Sequence, residues 1–401
     1  MNPDTSDSEN DTRWGIIGIV VAAGVVAAIQ VGKVPPVLSV MRQELGLSQV
    51  AAGWVASLFN GCGAVLGIMA GRVADRLGPR LVLAVCVGLL GLGSLMGGIA
   101  PTAGLLFASR FIEGIGFVGL IVAAPALVVA VSRPADRRLA LGIWGIYMPL
   151  GMALAMALTP VLLEHMNWRG VWLLNVALTL LYLAALLGSV RWYRWPGDMQ
   201  RGRKQAGFSL KSVLSSRGIW FLTVCFAIYA LLFFALMTWL PTILMEILGW
   251  SAAAAAYISA LVVFVNVFGN LVAAWLMRHG VKEWILIAIA FGMMAVSAAG
   301  IFGGYVSDTW RVALAFAFSL TGGLLPAVVL AGVPALTKSP AQLSTANGVI
   351  VQGVNCGSLA GPPVMAAAVG FFGGWQDVYW LMIICCGVGV VFAVGLKIPE
   401  R

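Results

Sequence analysis

Long apolar segments separated by short polar connections dominate the chain. Each segment is close to the ~20 residues that a helix needs to cross the hydrocarbon core of a bilayer. The pattern predicts twelve membrane-spanning helices, at residues 14–40, 50–71, 81–100, 103–130, 139–163, 170–190, 218–245, 252–276, 284–304, 311–332, 346–371 and 378–396. The sequence therefore predicts an all-α integral membrane protein whose two termini lie on the same side of the membrane.

The composition agrees with this prediction. The chain is 61% hydrophobic and 10% charged, which leaves too few charges for the surface of a soluble protein of 401 residues. Its six cysteines lie in apolar segments, where we expect neither disulfides nor a metal site. The sequence contains no phosphate-binding loop of the Gly-x-x-x-x-Gly-Lys-Ser/Thr kind and no paired catalytic groups. We therefore expect no cofactor and no enzymatic activity.

The positive charges are concentrated on one side of the predicted topology. Only Arg42, Arg169 and Arg311 lie in the loops opposite the termini, whereas most of the other lysines and arginines lie on the same side as the termini. The cytoplasmic loops of membrane proteins are enriched in Lys and Arg, so both termini are expected in the cytoplasm. The protein itself is expected in the plasma membrane or the inner membrane of the cell. This asymmetry also explains the net charge of +9 without a nucleic-acid partner.

A long basic connection divides the twelve helices into two sets of six. The expected domains are a disordered cytoplasmic tail at residues 1–13, an N-terminal six-helix bundle at 14–190, a cytoplasmic linker at 191–217 and a C-terminal six-helix bundle at 218–397. A monomer is expected.

The two sets of helices also share short sequences in the same order. Leu45-Gly46-Leu47-Ser48 is repeated as Leu248-Gly249-Trp250-Ser251, and Trp168-Arg169-Gly170-Val171-Trp172 is repeated as Trp375-Gln376-Asp377-Val378-Tyr379. Ala124-Pro125-Ala126-Leu127 is repeated as Val333-Pro334-Ala335-Leu336. Parallel repeats of this kind predict two related bundles packed around a central cavity.

The connection between the second and third predicted helices reads Gly-Arg-Val-Ala-Asp-Arg-Leu-Gly-Pro-Arg, at residues 71–80. It resembles the G-x-L-A-D-R-x-G-R-R signature of the major facilitator superfamily of secondary transporters, with Val73 in place of Leu and Pro79 in place of Arg. The resemblance implies alternating access of a central site to the two sides of the membrane. It also implies a conformational gate at the cytoplasmic face, formed by Gly71, Asp75, Arg76, Gly78 and Arg80.

Three charged residues lie well within predicted helices, away from their ends and from the polar loops: Lys33, Arg110 and Glu113. A charge in hydrocarbon costs at least ~2.5–3.5 kcal/mol, so each of them indicates a function by default. Arg110 and Glu113 are three residues apart and share a helical face. Residues 110–116 resemble the R-x-x-x-G-x-G signature of the superfamily's fourth helix, which implies that Arg110 binds substrate or couples protons. The alternative is an Arg110–Glu113 pair that only braces helices.

Lys33 has two alternative interpretations. Counting from Gly15, it lies ~27 Å along its helix, close enough to the interface for its ammonium group to reach the lipid headgroups. Alternatively, Pro35 and Pro36 bend the helix, and Lys33 faces the cavity beside Gln30.

Neutral hydrogen-bonding residues distinguish the second half. Tyr229, Thr238, Ser319 and Asn355 are expected to bind substrate together with Tyr147 of the first half, although polar groups in membrane helices also hold helices together. Residues 144–151 and 238–242 resemble the cyanate-transporter-like subgroup of the superfamily, which implies uptake of a small anion or small polar solute.

The three buried charges sum to +1, which favours an anionic substrate held by Arg110. Glu113 is the predicted carrier of a coupling proton, because burial favours the uncharged form of a carboxyl group. The expected partners are thus a small anion, protons and the bilayer. The alternatives are a proton-driven exporter of drugs or metabolites and a membrane sensor that no longer transports.

Overall fold

A computed structural model describes residues 11–61, 63, 79–189, 195, 213–337 and 340–397. The helices of the first half are α1 (Trp14–Gly32), α2 (Leu38–Glu44), α3 (Gln49–Ser57), α4 (Pro79–Gly98), α5 (Ala103–Ala130), α6 (Arg137–Gly145), α7 (Tyr147–Leu163) and α8 (Trp168–Gly188). Those of the second half are α9 (Arg217–Leu248), α10 (Ala252–Arg278), α11 (Glu283–Phe302), α12 (Asp308–Gly322), α13 (Leu324–Gly332), α14 (Pro340–Phe372) and α15 (Tyr379–Gly395). Short 3₁₀ turns lie at Pro35–Val37, Leu58–Asn60, Val333–Leu336 and Gln376–Val378.

The described residues contain eleven helical segments long and apolar enough to cross a membrane. They correspond to every predicted span except 50–71, most of whose second half lies outside the described residues. In hydrocarbon the backbone satisfies its own hydrogen bonds within each helix, which explains why apolar length alone located the spans. The predicted all-α membrane fold is confirmed.

Helix boundaries follow the capping residues. Helix α5 starts at Ala103 as predicted, because the Thr102 hydroxyl accepts a hydrogen bond from the Leu105 backbone N–H. The first span differs from the prediction, since the chain bends at Pro35–Val37 and then continues as α2 to Glu44. The predicted span 139–163 likewise consists of two helices, α6 and α7, that meet at Ile146.

The sequence repeats correspond to repeated structure. Gly46 and Gly249 both have left-handed backbone conformations, with φ of 61° and 66°, which glycine adopts without strain. Two residues later, Ser48 and Ser251 each cap the next helix through the side-chain oxygen. We define the distal end of the bundle as the end that carries these two turns, opposite Trp14 and Lys397.

A second duplicated feature lies deep within each half. A Cβ atom on Gly114 of α5 would collide with the Phe59 carbonyl, and one on Gly323, just after α12, would collide with the Asn266 carbonyl. The two glycines are 209 residues apart, the same offset that relates Arg110 to Ser319. Both halves therefore use a glycine to bring the corresponding helix backbones together, and Arg110 and Ser319 occupy equivalent places.

The two halves meet along α3 and α14, and along α7 and α10. A Cβ atom at Gly53 of α3 would lie 2.9 Å from the Pro362 carbonyl of α14, so these backbones touch near the distal end. The Pro35–Val37 turn also contacts α9 and α10. The distal ends of the two halves are consequently in contact.

The described chain begins with a short segment fixed to the opposite end. Arg13 N–H donates to the Val131 carbonyl at 2.9 Å, and the Thr12 hydroxyl accepts from the Arg133 N–H at 3.0 Å. Asp11 pairs with the Arg133 side chain. Residues 11–13, predicted as the end of a disordered tail, therefore contact the connection between α5 and α6. The predicted linker lies largely outside the described residues, and the domain boundaries stay a prediction.

Candidate functional site

The three ionisable residues of the predicted spans form one buried cluster in the first half. Lys33 follows the C-terminal turn of α1, whereas Arg110 and Glu113 lie three residues apart on α5. All three residues have 0% of their surface exposed. The structure therefore places Lys33 inside the bundle, not at the lipid interface. We use the term charge cluster for Lys33, Arg110, Glu113 and the two neutral residues that bridge them, Gln30 and Ser94.

Three hydrogen bonds satisfy the Lys33 ammonium group. Its Nζ atom donates to Gln30 Oε1 at 2.5 Å, to Ser94 Oγ at 2.8 Å and to Glu113 Oε1 at 2.7 Å. The Ser94 hydroxyl also lies 2.8 Å from both Gln30 Oε1 and Glu113 Oε1. An ammonium group has three N–H donors, so Lys33 uses its full hydrogen-bonding capacity.

Arg110 joins the cluster to two neighbouring helical segments. Its Nε donates to the Val55 carbonyl of α3 at 3.0 Å, and its Nη1 donates to the Gln30 carbonyl of α1 at 3.0 Å. Nη1 also pairs with Glu113 Oε2. One carboxylate thus lies between two cations, with Lys33 on one oxygen and Arg110 on the other.

Aromatic rings flank both cations. Lys33 Nζ lies 4.4 Å from the centre of the Trp172 ring of α8, and Arg110 Cζ lies 4.9 Å from that of Phe59. The negative faces of aromatic rings attract cations, by ~2 kcal/mol or more where water is excluded. The rings therefore offset part of the cost of burying the lysine and arginine charges.

Three buried N–H groups around the cluster have no partner among the described residues. They are Arg110 Nη2, Gln30 Nε2 and the Trp172 indole Nε1. A buried donor without an acceptor costs ~1–3 kcal/mol, and more when the donor is charged. The cluster therefore has a net charge of +1, and two N–H groups within it and one beside it have no acceptor among the described residues, which is the complement of an anion.

The equivalent place in the second half is polar but uncharged. Asn266 Nδ2 donates to the Tyr229 hydroxyl at 3.1 Å and to the Ser319 carbonyl at 2.9 Å. The Tyr229 ring lies 3.0 Å from the position of a Cβ atom on Gly322, the counterpart of Glu113. An aromatic ring thus packs beside the position that the carboxylate occupies in the first half.

The structure brings together Lys33, Gln30, Arg110 and Glu113 in one group, and Tyr229 with Ser319 in another. The remaining predicted binding residues are separate. Tyr147 stacks on Trp144 beside α1, and Thr238 is buried within α9. Asn355 of α14 lies at the seam between the halves, where its side chain fills the space that a Cβ atom on Gly63 would need.

The predicted gate is described only at Arg80, whose guanidinium donates to the Leu187 carbonyl at 2.9 Å. Gly71, Asp75, Arg76 and Gly78 lie outside the described residues. No group of three or more potential metal ligands occurs in the part of the chain that the structure describes.

Two residues that contact Lys33 were not predicted from the sequence. Ser94 is one serine in an apolar helix, and nothing in its local sequence shows that it faces Lys33, 61 residues earlier. Trp172 belongs to the repeated Trp168–Trp172 sequence, which marked it as part of the duplication. Its Tyr379 counterpart in the second half has no lysine partner among the described contacts.

Residues 20–339, which make up most of the chain, match the family model of the Major Facilitator Superfamily. The chain belongs to the Major Facilitator Superfamily. The family consists of transporters, so the predictions of a multi-pass membrane transporter, and of a protein that is not an enzyme, are confirmed.

Two similar proteins have names that describe different functions. The chain is 24% identical to a probable sulfoacetate transporter of Cupriavidus necator, over 96% of this chain and 94% of that protein. It is 32% identical to a puromycin resistance protein of Streptomyces alboniger over 191 residues, which are 47% of this chain and 37% of that protein.

A solved structure has the same fold. A bacterial homologue of the human lysosomal transporter Spinster, in an inward-facing and occupied conformation, matches with a TM-score of 0.79 at 15% identity. The match covers 96% of this chain and 97% of that chain. At this identity the similarity concerns the fold alone.

Proposed function

We propose that this superfamily member is a secondary active transporter that takes up a small anion together with protons, by alternating access of a site between its two halves. The observation that carries the proposal is the charge cluster. It holds two cations and one carboxylate, all fully buried, and three N–H donors in or beside it have no partner among the described residues.

Electrostatics favours an anion over other substrates. An uncompensated charge in a protein interior is costly, and an anion beside Arg110 neutralises it while accepting the unused hydrogen bonds. The Arg110 Nη2 group, which has no partner among the described residues, can donate to an oxygen of a carboxylate or sulfonate group. The full-length similarity to a probable sulfoacetate transporter, a protein named for an organic anion, supports the same substrate class.

Proton coupling completes the proposal. The chain has no nucleotide-binding loop, so accumulation of an anion against the membrane potential needs an ion gradient. A buried cluster of titratable groups can exchange protons when alternating access exposes it to water. Arg110 and Lys33 then supply the positive charge that binds the anion, with Gln30 beside them.

The second half supplies neutral contacts in this proposal. Tyr229 accepts a hydrogen bond from Asn266, which leaves its own O–H proton available to a substrate. The Ser319 hydroxyl is buried without a partner among the described residues. Asn355, at the seam, and Thr238 and Tyr147 stay predicted substrate contacts.

Export of drugs or metabolites is the alternative function. The similarity to a puromycin resistance protein favours it, because that match has the higher identity. It covers about half of this chain, whereas the match to the sulfoacetate transporter covers nearly all of it. The cluster has one carboxylate and two cations, so its net positive charge disfavours binding of a cationic drug.

A thermal-shift measurement on the purified protein distinguishes these substrate classes. Sulfoacetate is expected to raise the midpoint of thermal unfolding, since a ligand at 100-fold its Kd stabilises the folded state by about 2.7 kcal/mol. Acetate and methanesulfonate, which each carry one of its two anionic groups, are expected to act more weakly. Puromycin is expected to have no effect.

The matched variant is Arg110→Lys, which keeps the charge but loses the planar fork. It should remove most of the sulfoacetate-dependent shift. Stabilisation by puromycin but by none of the anions would contradict anion uptake and favour the export function.

A further inference from the structure

The charge cluster contains more positive than negative charge. Two cations, Lys33 and Arg110, face one carboxylate. Among the described residues, Glu113 is the only acidic group paired with either cation. The other groups that contact Lys33 are neutral: Gln30 on α1, Ser94 on α4 and the Trp172 ring on α8.

The two candidate proton carriers change the buried charge in opposite directions. Protonation of Glu113 would leave two cations without a counterion and raise the net charge from +1 to +2. Loss of a proton from Lys33 would leave the Arg110–Glu113 pair and lower the net charge to zero. A neutral, paired arrangement is far less costly in a dry interior than two unpaired cations.

We infer that Lys33, and not Glu113, carries the exchangeable proton of this transporter. When the cluster opens to water, the ammonium group loses one proton to water, and the nitrogen keeps the electron pair of the broken N–H bond. Glu113 stays a carboxylate throughout and acts as the counterion of Arg110. The role of Lys33 in transport rests on the proposed proton coupling. The protonation state of Lys33 itself can be measured without a substrate.

The hydrogen bonds around Lys33 suit both of its protonation states. The ammonium form donates to Gln30 Oε1, Ser94 Oγ and Glu113 Oε1. The neutral amine keeps two N–H donors for the two carboxyl and amide oxygens and gains one acceptor. Ser94 can then turn its hydroxyl hydrogen towards the amine nitrogen, because a hydroxyl is both a donor and an acceptor.

Ser94 is therefore a positioning residue for the proton. It makes the third hydrogen bond in either state, as acceptor to the ammonium and as donor to the amine. With alanine in its place, the ammonium would have an unused donor and the amine an unused acceptor. The substitution is therefore expected to change the equilibrium between the ammonium and amine forms of Lys33, and also to lower the stability of the fold.

Proton and anion binding are linked by the same charge count. With Lys33 protonated, the cluster has a net charge of +1 and attracts an anion. With Lys33 neutral, Arg110 is fully compensated by Glu113, and the attraction is lost. The proton and the anion consequently bind together and leave together, which is the requirement for symport.

Nuclear magnetic resonance of the lysine side chains tests the inference directly. The chain has six lysines, Lys33, Lys204, Lys211, Lys282, Lys338 and Lys397, so 15N-lysine labelling of the protein in lipid nanodiscs gives a short list of resonances. Lys33→Met identifies the signal of Lys33, and Lys282→Met, which removes an exposed lysine, is the control.

The Lys33 nitrogen is expected to change from ammonium to amine during a pH titration of the folded protein. The Glu113 side-chain carbon is expected to keep its carboxylate position. In Glu113→Gln the transition should move to lower pH by at least about one unit, because an opposite charge has been removed. Titration of Glu113 with Lys33 fixed as ammonium would overturn the inference.

Ser94→Ala provides a second test that does not depend on removing a charge. The Lys33 transition is expected to move relative to the wild type, whereas Ser259→Ala should leave it unchanged. Ser259 is also fully buried, but its hydroxyl bonds to the Ala255 carbonyl of its own helix in the other half. An unchanged transition in Ser94→Ala would contradict the positioning role.

Transport of sulfoacetate into proteoliposomes supplies the functional readout. Lys33→Arg keeps a permanent positive charge, so proton-driven accumulation is expected to be lost while exchange of external for internal sulfoacetate persists. Full accumulation in this variant would overturn the inference. If the wild type does not transport sulfoacetate, the proposed substrate is wrong, and the resonance of Lys33 still decides which residue carries the proton.

Discussion

Glu113→Gln is expected to be strongly destabilising, whereas Lys33→Met, which removes the other partner of the same ion pair, is expected to leave the protein folded. Both substitutions preserve the approximate size of the side chain. They differ in the charge that remains, because the first leaves Lys33 and Arg110 without a counterion and the second leaves Arg110 paired with Glu113.

The expected difference is large because the cluster is fully buried. Removal of one partner from a buried ion pair typically costs ~3–5 kcal/mol, whereas replacing surplus buried charge by an apolar group is often neutral or stabilising. The midpoint of thermal unfolding in detergent should therefore fall by several degrees in Glu113→Gln and change little in Lys33→Met.

The loss of stability in Glu113→Gln, relative to the wild type, is a deficit that is expected to shrink as the pH rises. In Glu113→Gln, release of the Lys33 proton removes one of the two unpaired charges from the folded protein. The unfolded state then binds more protons, so stability rises with pH and the deficit shrinks. A deficit that grows with pH would contradict the charge count.

A half-exposed ion pair at the distal end serves as the control. Glu44 pairs with Arg169, and their side chains are 43% and 24% exposed. Pairs this exposed contribute ~1 kcal/mol or less, so Glu44→Gln should have a small effect. Equal destabilisation by Glu113→Gln and Lys33→Met would show that the cluster carries no surplus positive charge.

Gly53→Leu is expected to keep the two halves apart at the distal end. A Cβ atom at this position would lie 2.9 Å from both the Pro362 carbonyl carbon and its oxygen, closer than side-chain atoms are found. Pro362 and Pro363 interrupt the hydrogen bonding of α14, and the Pro362 carbonyl accepts a hydrogen bond from the Trp239 indole at 3.0 Å. The proline backbone is thus held in place and cannot yield to a larger residue.

Overpacking of a tight contact costs ~1–3 kcal/mol, which shifts a conformational equilibrium by roughly 5- to 150-fold. The substituted protein should remain folded, because Gly53 faces the other half and not the interior of its own. The fraction of molecules whose distal ends are in contact should fall, and the transport rate should fall with it.

Spin labels at Glu164 and Ala252 would report this change. These residues line opposite sides of the distal seam, one in each half. A population with a short distance between the two spin labels is expected in the wild type and should be lost in Gly53→Leu. Gly88→Leu is the matched control, since nothing lies within 4 Å of a Cβ atom at Gly88. A short-distance population unchanged by Gly53→Leu would mean that the α3–α14 contact does not limit closure.

The fold was predictable because lipid imposes one rule on every helix. A span needs enough apolar residues and must satisfy its backbone internally, and both properties are local in sequence. The duplicated turns were also local, since Gly46 and Gly249 each close a helix before a capping serine. The break between α6 and α7 at Ile146 was not predicted, because the hydropathy of the segment is continuous there.

The charge cluster was predictable only in part. Arg110 and Glu113 are three residues apart on one helix, so their pairing followed from helical geometry. Lys33 depended on the path of the chain after Pro35, and the sequence left its position open. Ser94 and Trp172 meet Lys33 through the packing of α4 and α8 against α1, which no spacing within a single helix reveals.

The most direct test of proton-coupled anion uptake is sulfoacetate accumulation in proteoliposomes with the membrane potential clamped at zero. An inward proton gradient is expected to drive accumulation of sulfoacetate above its external concentration, and a protonophore should abolish it. Arg110→Lys should lose it as well. Accumulation driven by an outward proton gradient, or sulfoacetate-dependent movement of protons in the opposite direction, would contradict the account.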